Sequence, residues 1–376
     1  MPPMTISDSG WRRVSEFADR LILEDRVPSL AVVAGGRHRP WRSHFAGLPT
    51  EAGTASVGPD TIFLVASITK PLVAMAAMQQ IERGRLTLGD RITDYLPEFG
   101  RHGKYGVEIR HLLTHTSGLP DMLPDNQELR QQNAPLSRFL QGVCECELSF
   151  APGRGVQYQS MGFVVLAEIV SRLAGAPLPE LLAEEFFIPL GMSATALGGP
   201  DAWWTGTPPV VDRIAEVRLP EAQVHGPDWN WNSRYWRQLG APWGGLLTTA
   251  GDLAAYARML LNGGVTPSGR RLLSQASLAA ATTNQLACMK DVPEDERRCR
   301  PWGLGWRLHW PAHSANFGDL LGPRTFGHWG ATGTVLWMDP DAEAFAVILS
   351  TQPQEPAGGQ LARLSNLIAA SWRQAD

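Results

Sequence analysis

Cysteine is scarce in this chain and long apolar runs are absent, and both shortages narrow its class. Cys144, Cys146, Cys288 and Cys299 are the four cysteines in 376 residues. Cys144-Glu145-Cys146 is too tight for a zinc knuckle, and no second ligand pair stands at metal spacing. Four free thiols in a reducing cytoplasm are therefore expected, with no metal and no disulfide framework. No stretch reaches the run of about 18 apolar residues that a membrane span requires. The opening MPPMTISDSGWRR has neither an apolar centre nor a cleavage-like site, so no signal peptide and no membrane partner are expected. A strong excess of one charge is missing too. The formal net charge is -4 and the pI about 6.2, which gives no support to a nucleic-acid partner. What remains is a globular composition, 44% hydrophobic and 19% charged, in a chain long enough for one large or two smaller cores.

Strand signals lie at the two ends and helical signals between them. Val14, Phe17, Ala18, Leu21 and Ile22 form one stripe and predict a helix over 11–25. Residues 29–35 read as an apolar strand, with 39–47 as its hairpin partner across Gly35-Gly36, and 53–59 are turn-rich. Near the other end, 301–310 suggest a strand. Residues 334–338 and 344–350 read as two more, joined by Asp339-Pro340-Asp341. Leu361, Leu364, Leu367 and Ile368 predict a closing helix over 360–372. This distribution predicts an α/β fold: an antiparallel sheet built from both termini (1–66 and 301–376), flanked by helices and interrupted by a predominantly helical region, 67–300.

At the join stands Ser67-Ile68-Thr69-Lys70, at the start of a helix expected over 67–83, with Pro71 in its first turn and Gly84 as its stop. Residues three apart share a helix face, so the Lys70 amine stands over the Ser67 hydroxyl. A serine hydroxyl needs a base, and a desolvated lysine near a helix N-terminus has a lowered pKa and can serve. By itself the pattern also describes a solvated first-turn serine beside a surface lysine.

His111 and His115 stand four apart in HLLTHTSGLP, a spacing that can hold a metal. The Thr116–Pro120 run breaks the helix, and no glutamate stands between them in the zincin position. Capping or supporting histidines are expected instead. Residues 121–137 are polar and irregular and read as a loop beside a site. Tyr158 lies in a glycine-rich turn just before a helix. A lysine close by would favour its phenolate, allowing it to shuttle protons, although a packing tyrosine fits the same position. Trp203, Trp204, Trp229, Trp231 and Trp236 fall in irregular backbone. They either rim an apolar cleft or anchor a long loop on the core.

The ordered set Ser67-Ile68-Thr69-Lys70, HLLTHTSGLP, Tyr158-Gln159-Ser160-Met161-Gly162, PWGGLLTTAGDLAAYARMLLNGG from Pro242, and His328-Trp329-Gly330-Ala331-Thr332-Gly333-Thr334 resembles the serine β-lactamase and penicillin-binding protein superfamily. More narrowly it is similar to the class C-like branch of esterases, peptidases and amide hydrolases. The resemblance spans most of the chain from about residue 10 and implies the β-lactamase-like fold. It makes Ser67 the nucleophile, with Lys70 and Tyr158 as paired base and acid. It places the N–H groups of Ser67 and Ala331 at the oxyanion, and Ser160, His328, Trp329 and Gly330 against substrate, where glycine lets a ligand approach the strand closely.

Two departures bear on the substrate. Ser160 stands where the family commonly has asparagine, and a hydroxyl lacks the reach and the donor–acceptor pair of an amide. His328 stands where lactamases commonly have lysine, so a permanent cation is missing. A carboxylesterase acting through an acyl-enzyme on a small-molecule ester or amide, with no cofactor, is the first expectation. The alternatives are a D-amino peptidase, amidase or acyltransferase, a weak β-lactamase, or a non-catalytic penicillin-binding-like protein. The residues fix no oligomeric state.

Overall fold

The computed structural model describes residues 4–38, 40–47, 56–353 and 359–374. Arg39 of the expected hairpin and residues 53–55 of the turn-rich stretch lie outside these.

Among the described residues eleven strands make three sheets. In chain order they are β1 (Met4–Ile6), β2 (Ser29–Gly36), β3 (Arg42–Gly47), β4 (Phe63–Leu64), β5 (Ala196–Leu197), β6 (Leu246–Thr248), β7 (Arg307–Leu308), β8 (Phe326–Gly330), β9 (Thr334–Asp339), β10 (Ala344–Ser350) and β11 (Trp372–Gln374). The main sheet has six strands in the order β3-β2-β10-β9-β8-β7, every neighbour antiparallel. Strands from the two ends of the chain thus share it, with Val33 of β2 opposite Val347 of β10. This is the expected β-lactamase-like α/β architecture.

Burial on both faces explains why β2 and β10 read as unbroken apolar runs. Ala31, Val33, Phe345, Val347 and Leu349 face one core, while Leu30, Val32, Ala34, Ala346 and Ile348 face the other. The second core is closed by helices from both termini, α1 (Asp8–Leu23) and the helix Gln360–Ala369. Ser7 caps α1, accepting from the Gly10 N–H at 3.1 Å. The first core joins the sheet to α2 (Thr69–Glu82) and the helices of the middle region.

Several local expectations shift. Gly35 and Gly36 stay within β2, and the turn falls on Arg37 and His38. Of the suggested 301–310 strand, Arg307–Leu308 forms a strand and Trp302 makes an isolated antiparallel bridge to Arg307. The terminal helix stops at Ala369 because β11 pairs with β1. Residues 121–137 are not wholly irregular, since they hold the helix Asn126–Gln131. Helix Ala250–Leu261, inside the 67–300 region, packs directly on β2, β9 and β10, so the two regions interlock in space.

The small sheet β4-β6-β5 sets the site. Leu64 of β4 pairs with Leu247 of β6, and the Val65 N–H donates to the Leu246 carbonyl at 3.1 Å. This pairing carries Trp243, three residues before β6, alongside the start of α2.

Candidate active site

Ser67 lies in a single 3₁₀ turn, Ala66–Ile68, that runs straight into α2. Ala66 has φ +47°, a left-handed conformation that is unfavourable for a residue with a Cβ. Neighbouring contacts hold it there. Thr332 Oγ1 donates to the Leu64 carbonyl at 2.6 Å, Thr334 Oγ1 to the Val65 carbonyl at 2.9 Å, and Thr69 Oγ1 to the Ala66 carbonyl at 2.6 Å. Backbone strain maintained by surrounding structure is a recurrent feature of functional turns.

Lys70 is wholly buried one turn along α2. Its Nζ donates to Ser67 Oγ at 3.0 Å and to the Trp243 carbonyl at 2.8 Å. Its pKa falls to about 7: burial drives the drop, the Asp121 carboxylate opposes it, and the Arg307 guanidinium adds a smaller lowering. Near neutral pH a substantial fraction of this amine is therefore unprotonated.

Tyr158 hydrogen-bonds with the Ser67 hydroxyl, and its ring centroid lies 4.8 Å from Lys70 Nζ. Here the expectation of an eased phenolate fails. Burial pushes the Tyr158 pKa up by more than the Arg307 cation and the Ser67 hydrogen bond lower it. The phenol stays protonated at neutral pH and is a proton donor. Its loop is tied to the HLLTHTSGLP segment. The Gln157 N–H donates to the His115 carbonyl at 2.9 Å, and the Gln159 N–H to His115 Nδ1 at 3.1 Å.

His111 and His115 are thereby accounted for. The Glu108 N–H donates to His111 Nδ1 at 3.0 Å at the start of the helix Ile109–Leu113. Both imidazoles are held neutral by burial, His111 at about 4. Among the described residues no cluster of histidine, cysteine or acidic side chains is placed to hold a metal.

A cavity of about 260 Å³ opens over Ser67. Tyr158, Ser160, Trp329 and Ala331 line it, as expected, so the serine, the tyrosine and the residue assigned to the oxyanion share one space. Trp231 and Trp236 supply part of the wall; Trp203, Trp204 and Trp229 do not. Trp243, from the PWGG stretch, is a further wall tryptophan that sequence reasoning did not single out.

Two expected substrate contacts move behind the wall. His328 is fully buried, its ring 6.0 Å from Tyr158 and 6.0 Å from Trp302. Its Nδ1 donates to the Trp329 carbonyl at 2.8 Å, and burial beside Arg307 and Lys70 holds the ring neutral. It backs the tyrosine and does not face a ligand. Gly330 is not part of the cavity wall. A Cβ there would collide with the Val65 carbonyl oxygen and Thr334 Oγ1, so the close approach that glycine permits is to the chain's own serine turn.

Asp121 is the residue the motifs missed. Ser160 Oγ donates to Asp121 Oδ1 at 2.6 Å, and the carboxylate lines the cavity. Arg307 was missed too. Its guanidinium is nearly buried, 5.1 Å from the ring of Tyr158, 4.7 Å from that of Trp302 and 4.8 Å from that of Trp329. The position of Asp121 directly after HTSGLP was the available signal. Arg307 gave none, because its burial depends on rings distant in sequence.

The Beta-lactamase family model matches residues 12–370. The chain belongs to that family. Penicillin-binding protein 4 of Amycolatopsis lactamdurans is 29% identical to it, over 88% of this chain and 81% of the relative. Among solved structures, a penicillin-binding protein homologue from Caulobacter crescentus superposes with a TM-score of 0.79 at 22% identity, covering 98% of this chain and 99% of the other. A family VIII carboxylesterase gives 0.77 at 20% identity, with coverage of 98% and 99%. At these identities the structures show a shared fold, and the family is one of serine acyl-enzyme hydrolases.

Proposed function

We propose that the protein is a serine hydrolase that acts on carboxylic esters through an acyl-Ser67 intermediate. The observation that carries this reading is the 3.0 Å hydrogen bond between Ser67 and a buried Lys70 whose pKa falls to about 7. Neutral Lys70 takes the Ser67 proton as Oγ attacks the carbonyl carbon. The tetrahedral oxyanion lies between the N–H groups of Ser67 and Ala331. Protonated Tyr158 donates to the departing alkoxide, completing acylation. Lys70 then passes the Ser67 proton to the Tyr158 phenolate, which restores both groups. Water attacks the acyl carbonyl, giving its proton to neutral Lys70, and the acid leaves as Lys70 returns that proton to Ser67 Oγ.

Two features favour esters over lactams. An alkoxide is a better leaving group than an unprotonated amide nitrogen. His328, at the position commonly lysine in lactamases, is a neutral, buried imidazole that offers no cation on strand β8. The kinship to a penicillin-binding protein supports a second reading, acylation by amides or peptides at the same serine.

The deciding experiment is a panel of p-nitrophenyl esters, amides, D-amino peptides and nitrocefin, with intact-mass detection of the acylated protein. The ester reading expects turnover of esters and an acyl adduct on Ser67. Rapid nitrocefin or peptide cleavage with negligible ester hydrolysis would transfer the conclusion to the second reading.

A further inference from the structure

The Asn126–Gln131 helix, in the segment that read as a polar loop, presents Arg130 and Asn126 one turn apart to the cavity. Arg130 is 7% exposed, and no acidic side chain pairs with it among the described residues. Its guanidinium lies 4.2 Å from the Trp236 ring and 5.2 Å from that of Trp229. Nη2 donates to the Trp229 carbonyl at 3.0 Å and to Gln223 Oε1 at 3.3 Å. Its Nε is buried and meets no protein acceptor. Asn126 Oδ1 is likewise buried without a protein donor.

A buried guanidinium without a counter-ion is costly, and removal from water pushes the Arg130 pKa down to about 10. The charge nevertheless remains fixed at neutral pH, against a wall of the space that contains Ser67. Aromatic faces and two carbonyl-type acceptors hold it in place but do not neutralise it. A ligand carboxylate would do so, since arginine pairs with planar oxyanions through directed N–H groups. The Asn126 amide, turned end for end, presents an N–H₂ to the second oxygen.

Building on the ester-hydrolase reading, we infer that the preferred substrate carries a carboxylate remote from the scissile bond, bound by Arg130 with Asn126 on the helical wall of the cavity. This makes the substrate class the hemiesters of dicarboxylic acids, or esters of carboxylated alcohols. Asp121, on the same cavity, disfavours an anion beside Ser160, which confines the carboxylate to the Arg130 side.

The test compares anionic and neutral partners of matched length. On the acyl side these are p-nitrophenyl hydrogen glutarate and p-nitrophenyl pentanoate. On the leaving-group side they are 3-carboxyphenyl and phenyl butyrate. The wild-type protein should favour the anionic member of one pair by at least roughly tenfold in kcat/KM. Arg130→Gln should bring that ratio to near unity, and Arg130→Lys should restore part of it. The ratio is independent of the fraction of correctly folded protein. Equal ratios in wild type and Arg130→Gln, or no anionic preference in either pair, would overturn the inference.

Binding to a Ser67→Ala protein separates this inference from the hydrolase reading. Calorimetry should show monomethyl glutarate binding more tightly than methyl pentanoate, or 3-carboxyphenyl butyrate more tightly than phenyl butyrate, with the difference lost when Arg130→Gln is added. If the wild-type protein cleaves no ester but this difference persists, the carboxylate site stands and the reaction assignment falls. If esters are cleaved but the first two ligands bind alike, and 3-carboxyphenyl butyrate binds no more tightly than phenyl butyrate, the reverse holds.

Discussion

The Ser160 hydroxyl donates to Asp121 at 2.6 Å, so the proton at the second-motif position is committed to a carboxylate on the same cavity wall. Asp121 in turn raises the Lys70 pKa against the depression caused by burial. Asp121→Asn removes that opposition. The Lys70 pKa should fall, the free amine should persist to lower pH, and the acid limb of kcat/KM should move down. A pH–rate profile of the variant whose acid limb stays put, or moves up, would refute this electrostatic link.

In the unsubstituted protein the same profile should rise through an acid limb near pH 7, as Lys70 loses its proton. No alkaline limb should follow until well above pH 10, because Tyr158 must deprotonate for its donor role to fail and its pKa is raised. The folded-state pKa of Lys70 lies below the unfolded value, so the unfolded chain binds the extra proton. This group's contribution to stability therefore improves as pH rises from about 7 toward 10.5. Denaturant midpoints across that window, compared with those of Lys70→Met, check the sign.

Ser67→Ala should keep the fold and lower kcat by at least about 10⁴-fold, with Lys70→Ala nearly as severe. Tyr158→Phe should cost about 10²–10⁴-fold, the range for a general acid or base. The three groups act together, so the double variant Ser67→Ala/Tyr158→Phe should be no slower than Ser67→Ala alone. Steady-state kinetics with mass detection of the acyl adduct measures this. A folded Ser67→Ala protein with parental ester turnover would end the mechanism.

Gly330→Ala should destabilise the fold by about 1–3 kcal/mol, as overpacking does. The added Cβ has to displace the Val65 carbonyl and lies 3.1 Å from the Ala66 Cβ. Because those residues hold the serine turn, kcat should drop along with the melting temperature, with no comparable change in the pH profile. A variant that melts early but retains full kcat would show that the turn tolerates the shift.

The architecture was legible because β2 and β10 are apolar throughout and the terminal helices carry clear stripes. Ser67 and Lys70 were legible because one helical turn relates them. Tyr158 could be placed in the site, but its protonation could not be read. The groups that desolvate it, among them Trp302, Arg307 and His328, are far from it in sequence. For His328 the residue type suggested a ligand contact, whereas burial and side-chain packing turn it behind the tyrosine. Arg130 sits in a polar run that resembles a solvated loop. Only the fold of the Trp229 and Trp236 segment over it reveals a buried charge.

The serine turn is stitched to the far end of the chain by Thr332 and Thr334, and β10 fills the gap between β2 and β9. During vectorial synthesis this has a temporal consequence. A nascent chain displaying its first 300 residues contains Ser67, Lys70 and Tyr158 but lacks Ala331 and the strands that brace Ala66. Such a chain carries the reactive groups well before it can align them, and hydrolytic competence should arrive late, in a single step, as the last strands dock. Because these contacts join residues more than 260 positions apart, that docking should be slow relative to the local closure of α2.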